Sequence, residues 1–181
     1  CGSPAERDCY RLGVGLAPDS RGGSRYIHEQ LRAGDRVDIS APRQLFGLHA
    51  QAASHLFIAG GIGITPILSM IHACAMRGEP WQLLYCVRDR EAAAYLSELA
   101  AHGERVHLHV DSEQGGARCD LDAYLAARQT PGQHVYCCGP APLMDAVAAA
   151  CERGGIAAAR VHFERFAAGA APAAAEPGAA F

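Results

Sequence analysis

The chain has 181 residues, half of them hydrophobic and 19% charged, enough for one domain of ordinary size and part of another around a packed core. A net charge of −3 with no basic stripe argues against a nucleic-acid partner, and the sequence reads as having neither an opening signal peptide nor an apolar run of membrane-spanning length. The eight cysteines have neither C-x-x-C nor plant-type iron-sulfur spacing and fall mostly inside predicted strands and helices, which reads as a reducing, cytoplasmic compartment without disulfides or a metal centre.

Residues 1–50 do not read as α/β. Cys9 to Leu16 predicts a strand with Tyr10, Leu12 and Val14 on one face. Pro18 to Gly23 is a turn-rich loop. Ser24 to Leu31 predicts a short helix capped by Ser24, with Tyr26, Ile27 and Leu31 turned to a core. Gly34-Asp35 then leads into a second strand, Arg36 to Ser40, where Val37 and Ile39 alternate. A few strands and one short helix cannot close a barrel, so this stretch reads as the back part of a β domain whose front is missing. The abrupt opening Cys1-Gly2-Ser3-Pro4, without methionine, also reads as a fragment. Arg21-Gly22-Gly23-Ser24 has the makings of a phosphate site, with two glycines, a capping serine and a guanidinium. On this segment alone a flexible surface loop with a solvated arginine is the favoured reading.

The chain turns on Gly60-Gly61-Ile62-Gly63-Ile64-Thr65-Pro66. An apolar run, His55 to Ala59, predicts a buried strand before it, and an amphipathic helix from Pro66 to Arg77 follows, closed by Gly78. Thr65 is suited to cap that helix and Pro66 to open it. Gly61 and Gly63 let the backbone turn tightly and approach a ligand, and the helix start favours a phosphate or pyrophosphate. Pro66 stands where the usual dinucleotide fingerprint has its third glycine, so the turn departs from the ordinary Rossmann form. Taken alone, the same turn could be a plain strand-to-helix connection.

Beyond it, strands at Gln82–Val87, Arg105–Val110, His134–Cys138 and Arg160–Phe163 alternate with helices at Glu91–His102, Asp120–Arg128 and Pro142–Arg153. This predicts an α/β domain: a five-stranded parallel sheet in the order 3-2-1-4-5 with helices on both faces and ligands at the carboxyl ends of the strands. Three features fall at those ends besides the glycine turn. Arg88-Asp89-Arg90 ends the second strand, where an acid would hold an adenosine ribose and repel a 2′-phosphate. Asp89 argues for NADH, while Arg88 and Arg90 keep NADPH open; a helix-capping aspartate between two solvated arginines is the even alternative. Cys137-Cys138-Gly139-Pro140 ends the fourth strand, with Cys138 at the cleft and Gly139 permitting close approach, although a buried cysteine is usually inert. His162-Phe163-Glu164-Arg165-Phe166 closes the fifth, with Phe163 in the core and Phe166 either core or a ring against a ligand. His107 and His109 share a strand face but have no third ligand nearby, and read as ordinary histidines. Residues 167–181, rich in alanine, glycine and proline, read as a linker.

These motifs together resemble the ferredoxin–NAD(P)H reductase superfamily, and within it the reductase components of Rieske-type aromatic-ring oxygenases, the phthalate dioxygenase reductase and vanillate O-demethylase reductase group. The resemblance spans residues 1 to about 168. It rests on Arg21-Gly22-Gly23-Ser24, Ala41-Pro42-Arg43 through Leu45-Phe46, Gly60 to Pro66, Arg88-Asp89, Cys138-Gly139-Pro140 and Phe163-Glu164-Arg165-Phe166, in that order. It implies a partial FMN-binding β-barrel domain over 1–50, an NAD-binding α/β domain over 51–166 and the linker over 167–181.

The resemblance also implies roles. Arg21, Gly22, Gly23 and Ser24 would bind the FMN phosphate, and Gly60, Gly61, Ile62, Gly63, Thr65 and Pro66 the dinucleotide. Asp89 would hold the adenosine ribose, Cys138 would sit at the nicotinamide, and Phe166 or Phe163 would pack near the isoalloxazine, with Arg88, Gly139 and Pro140 also among the cofactor-binding residues. Cys138, Glu164 and Phe166 form the implied catalytic set. The implied activity is an NADH-dependent flavin oxidoreductase passing hydride from NADH to FMN and then electrons to a 2Fe-2S centre serving the oxygenase, as a cytoplasmic monomer. The family's flavin-binding Arg-x-Tyr-Ser strand and its cysteine-rich iron-sulfur domain are not in this sequence, so the expected chain carries no cluster ligands. Two alternatives stand beside it: a non-catalytic nicotinamide-nucleotide-binding fragment, and a stand-alone flavin or ferredoxin reductase of the FAD type.

Overall fold

Along Ser54–Gly60 (β1) every residue from His55 onward is buried, as in a strand covered on both faces. The computed structural model, which describes residues 1–17 and 20–166, sets β1 at the centre of a five-stranded sheet. Its neighbours are Trp81–Val87 (β2), Val106–Val110 (β3), Gln133–Cys138 (β4) and Val161–Glu164 (β5). The order is β3-β2-β1-β4-β5 and every pairing is parallel, as the alternation of elements predicts. Five helices accompany the sheet: Gly23–Glu29 (α1), Ile64–Arg77 (α2), Leu96–Ala100 (α3), Leu121–Ala126 (α4) and Ala141–Arg153 (α5).

Alternate residues of each strand feed two separate cores. Phe57, Leu83, Tyr85 and Tyr136 pack beneath Ile67, Leu68 and Ile71 of α2 and Leu99 of α3. Leu56, Ile58, Leu84 and Val135 pack beneath Leu125 of α4 and Met144 and Val147 of α5. Each such side chain contributes about 2 kcal/mol of burial, so the sheet and its four helices hold the molecule together. Sequence order reverses between β1 and β4, where Ala59 lies opposite Cys138, and the carboxyl ends of these strands therefore frame the switch-point crevice.

Residues ahead of the sheet differ from expectation. Neither Cys9 to Leu16 nor Arg36 to Ser40 forms a strand. A strand needs a neighbouring strand to pair with, and among the described residues these segments have none; Tyr10, Leu12, Val37 and Ile39 stay exposed at 70%, 77%, 54% and 68%. α1 begins at Gly23 rather than Ser24 and buries no residue, so Tyr26 and Ile27 do not face a core. Pro18 and Asp19 of the turn-rich loop, and the linker over 167–181, lie outside the described residues.

The helix expected from Glu91 to His102 is also broken. A short 3-10 turn, Arg90–Ala92, is followed by Tyr95 in the left-handed region at φ 63°, and only then by α3. The cause is a side chain from elsewhere: the Ala94 amide donates to the Tyr85 hydroxyl at 3.1 Å instead of to a helical carbonyl.

Candidate functional site

β1 ends at Gly60 and the chain passes through a 3-10 turn, Gly61–Gly63, straight into α2. Gly61 has φ 53°, which a side chain disfavours, and a Cβ there would meet nothing within 4 Å. Gly63 is glycine for another reason: a Cβ would run into the carbonyl of Cys138 and lie 2.8 Å from the Gly139 nitrogen. Gly139 in turn approaches Gly60 so closely that its own Cβ would stand 3.0 Å from the Gly60 Cα. Gly60, Gly63 and Gly139 thus serve the contact between β1 and β4. Gly61 alone among the four has free space on its Cβ side.

Thr65 does not cap α2. The cap position is Gly63, and the buried Thr65 hydroxyl donates back to the Ile62 carbonyl at 3.0 Å, tightening the turn. Pro66 is the third residue of α2 rather than its first, still within the turn where amides lack intrahelical partners. No side-chain cap and no acidic residue in the first turn oppose the positive end of the helix. The turn's chemistry suits an anion.

Two tyrosines escaped the sequence reading. Tyr85 on β2 donates its hydroxyl to the Gly61 carbonyl at 3.1 Å while accepting from Ala94, so one phenol fixes both the glycine turn and the loop beside it. Burial pushes the Tyr85 phenol upward, which keeps it a donor at neutral pH. Tyr95 lies over the same corner, its hydroxyl 3.1 Å from the Cys1 thiol. A Cβ on Gly13 would fall 2.6 Å from the Thr65 methyl and 2.7 Å from the Tyr95 hydroxyl, so the stretch before α1 passes directly over the turn. In sequence both tyrosines look like ordinary core aromatics, because their hydroxyl partners lie far along the chain.

That overpassing stretch also carries α1. His28 bonds the Val14 carbonyl at 2.8 Å, which ties Arg21-Gly22-Gly23-Ser24 to the glycine turn. Gly22, at φ 112°, holds the cap position of α1, and Ser24 sits inside the helix. The capping contacts come from Ser20, whose hydroxyl accepts from the Gly22 and Arg25 amides at 3.2 and 3.3 Å. Ser24 donates to Ser20 at 2.9 Å. Arg21 is exposed, and a Cβ on Gly22 or Gly23 would meet nothing within 4 Å.

At the end of β2, Arg90 is held by Glu113 through two contacts of 2.7 and 2.8 Å, and the Ser112 amide donates to the Arg88 carbonyl at 2.9 Å. Arg90 is therefore an exposed arginine that is ion-paired rather than free. Asp89 stands in a cap position but its side chain makes no capping bond, so the capping alternative falls away and the carboxylate is exposed beside Arg88.

At the other wall, Cys138 is only 1% exposed. Its thiol lies in the core on the α2 side, pushed up to about 12 by burial and by nearby Glu164. The side chain does not stand open at the cleft; its carbonyl is what faces Gly63. Glu164 is opposite Cys138 in register and half-buried. Phe163 packs on the α5-side core, while Phe166 leaves a ring 57% exposed just past β5, and Pro140 is exposed at the start of α5.

The crevice fits a pyridine dinucleotide: one open glycine of positive φ, an unopposed helix start and an exposed acid at the neighbouring strand end. The bare turn at Arg21 to Gly23 fits a phosphate. An iron-sulfur cluster does not fit: among the described residues the cysteines divide between the two cores and the surface, and no four converge. His107 and His109 do not converge either, His107 packing on Tyr124 and His109 bonding the Ala117 carbonyl.

Residues 40–161 match the family model described as dimethylamine monooxygenase subunit DmmA-like, N-terminal domain. The chain is 48% identical to the phenoxybenzoate dioxygenase subunit beta of Ectopseudomonas oleovorans over 170 residues, covering 94% of this chain and 52% of that protein. It is also 48% identical to the carnitine monooxygenase reductase subunit of Escherichia coli over 167 residues, covering 91% of this chain and 51% of that one. Among solved structures it superposes on phthalate dioxygenase reductase, described as a modular structure for electron transfer from pyridine nucleotides to 2Fe-2S. The TM-score is 0.77 and the identity 37%, over 84% of this chain and 48% of that one. The chain thus spans about half the length of the curated relatives it matches.

Proposed function

The chain belongs to the DmmA-like N-terminal domain family, among the oxygenase reductase components of the ferredoxin–NAD(P)H reductase superfamily, and from that premise we propose that it is the nicotinamide-nucleotide-binding part of an electron-transfer reductase. The observation that carries this is the pair of glycine-lined strand ends at the switch point, with Gly61 open to solvent and Gly60, Gly63 and Gly139 closing β1 on β4. A pyrophosphate over Gly61 and Ile62 would answer the positive end of α2. Asp89 would accept the adenosine ribose hydroxyls, which favours NADH, with Arg88 alongside. Pro140 and the Cys138–Gly139 backbone would border the nicotinamide, and the protonated Cys138 thiol would pack beneath it without exchanging a proton.

Arg21 to Ser24 would hold the FMN phosphate, and the exposed ring of Phe166 would cover apolar ring surface at the crevice mouth. Bound nicotinamide and flavin supply the hydride and one-electron chemistry. Glu164 would act by position, keeping the end of β5 beside the crevice. In this reading the partner is a Rieske-type oxygenase component reached through a separate iron-sulfur domain, and the compartment is the cytoplasm. A second reading, a nucleotide-binding piece without flavin, is favoured by the lack of any strand among the described residues of 1–50.

Titration of the purified chain with NADH, NADPH and FMN tests both. Saturable NADH binding, followed by nicotinamide fluorescence, is the expected result, and its absence would overturn the proposal. Yellow flavin retained through gel filtration and bleached by NADH supports the first reading over the second.

A further inference from the structure

The end of the sheet opposite the nucleotide crevice carries a second constellation. His55 is the second residue of β1, Cys74 lies in the last turns of α2, and Glu79 follows the Gly78 cap of that helix. One ligand atom from each, a ring nitrogen, the thiol sulfur and a carboxylate oxygen, all lie within 4.8 Å of one another. Backbone bonds fix all three in place. The Glu79 amide donates to the Cys74 carbonyl at 2.9 Å through the left-handed Gly78, and the His55 amide donates to the Pro80 carbonyl at 3.0 Å.

His55 is 1% exposed, and neither of its ring nitrogens makes a hydrogen bond. Its Nε2 sits 3.2 Å from Glu79 Oε2, close but out of line for one, and that same oxygen is also without a hydrogen-bond partner. The ring cannot swing away to find another partner, being stacked parallel on Phe57 at 6.0 Å and flanked by Tyr136 at 5.7 Å. A buried imidazole with both nitrogens unanswered costs free energy unless something else answers them. The remaining buried side-chain atoms without partners, Trp81 Nε1 and Gln133 Oε1, belong to residues lining the same depression of about 860 Å³ onto which His55, Cys74 and Glu79 open. Every such atom among the described residues therefore gathers at one place.

We propose that His55, Cys74 and Glu79 form a binding site for a zinc-class divalent cation, with a fourth coordination position open to the depression. The donors decide the class. One imidazole nitrogen, one thiolate and one carboxylate suit a borderline-soft ion of tetrahedral habit, whereas calcium and magnesium require oxygen. Arg77 supports the outer side, 3.5 Å from the second Glu79 oxygen, and leaves Oε2 for the ion. The bound ion would pin the start of β1 to the end of α2, far from the glycine turn at the other end of the same two elements.

Cobalt(II) titration of the purified chain, freed of metal by a chelator, tests this. One equivalent is expected to produce a thiolate-to-cobalt charge-transfer band and the intense visible bands of tetrahedral cobalt, both removed by added zinc. Cys74→Ser should abolish the charge-transfer band, and Glu79→Gln, at a half-exposed side chain, should weaken binding by about tenfold or more. Zinc should also raise the melting temperature of the unsubstituted chain but not of the Cys74→Ser chain. Should Cys74→Ser not fold, Glu79→Gln alone decides. No charge-transfer band, or cobalt binding that Glu79→Gln leaves unchanged, overturns the site and assigns the binding to surface groups.

Discussion

A methyl group at Gly63 has nowhere to go, because the neighbour it would strike is the Cys138 backbone rather than a side chain that can swing aside. The same methyl at Gly61 has space on every side and meets only the torsional cost of φ 53°. The two glycines therefore fail differently. Gly63→Ala should cost about 3 kcal/mol by forcing β1 and β4 apart, and should weaken NADH binding only through loss of the folded state. Gly61→Ala should cost about 1 kcal/mol and yet weaken NADH binding in the fully folded protein, because the methyl occupies the open side of the turn. Urea unfolding and nucleotide titration of both variants separate the cases. Equal effects of the two variants on stability and binding would remove the distinction between a packing glycine and a ligand-facing one. Cys138 belongs with the packing residues: its thiol is 1% exposed and pushed up to about 12 by burial and by Glu164.

The ends of β2 and β3 form one corner, tied by Arg90–Glu113 and by Ser112–Arg88, and among the described residues it leaves the Asp89 carboxylate without a partner. Glu113 occupies Arg90, and the Ser112 amide holds the Arg88 carbonyl, so the backbone on either side of Asp89 is fixed while its carboxylate is not. Asp89→Asn should lower NADH affinity by about tenfold to a hundredfold, the worth of a hydrogen bond to a charged group, and raise that for NADPH by removing repulsion. Unchanged affinity for both nucleotides would show that the ribose lies elsewhere. The strands and their order were legible because a covered parallel strand writes itself as a local apolar run, as His55 to Ala59 and His134 to Cys138 do. What misled was non-local. Glu91 to His102 has helical composition, but a hydroxyl from β2 captures the Ala94 amide and breaks the helix at Tyr95. Cys9 to Leu16 alternates like a strand and has no partner to pair with. The glycine turn was found at once, whereas Tyr85, Tyr95 and the His55–Cys74–Glu79 group were not, since each depends on residues brought together only by the fold.

Taken as a whole, the molecule packs histidines between its last two strands whose pKa values burial lowers, and this gives its stability a response to pH. His134 on β4 meets His162 on β5 through ring nitrogens 2.9 Å apart, and His49 stacks on His134 at 4.4 Å. A hydrogen bond between two imidazoles needs one nitrogen to accept, so protonating both rings would set two donors face to face. Burial is the main cause that lowers both His134 and His162; the charges of His49, His162, His55 and Arg160 press His134 further down, and that of His49 does the same to His162. His102 and His107 are lowered as well, again chiefly by burial. In the unfolded chain these rings take up protons near the ordinary value of about 6.5, earlier in an acid titration than they do when folded. The unfolded state then binds more protons, so stability rises with pH across this window. It is complete above about pH 6.5 and drains away as the pH falls through the lower folded values. Urea midpoints measured from pH 7.5 down to pH 5 should therefore fall steadily below about pH 6.5. His162→Phe should flatten the decline, because it removes one member of the pair and lets His134 ionise without a facing donor. A midpoint that holds level or rises on acidification would mean that these rings are already charged in the folded protein, and that the imidazole pair does not hold β5 to the sheet in the way its geometry requires.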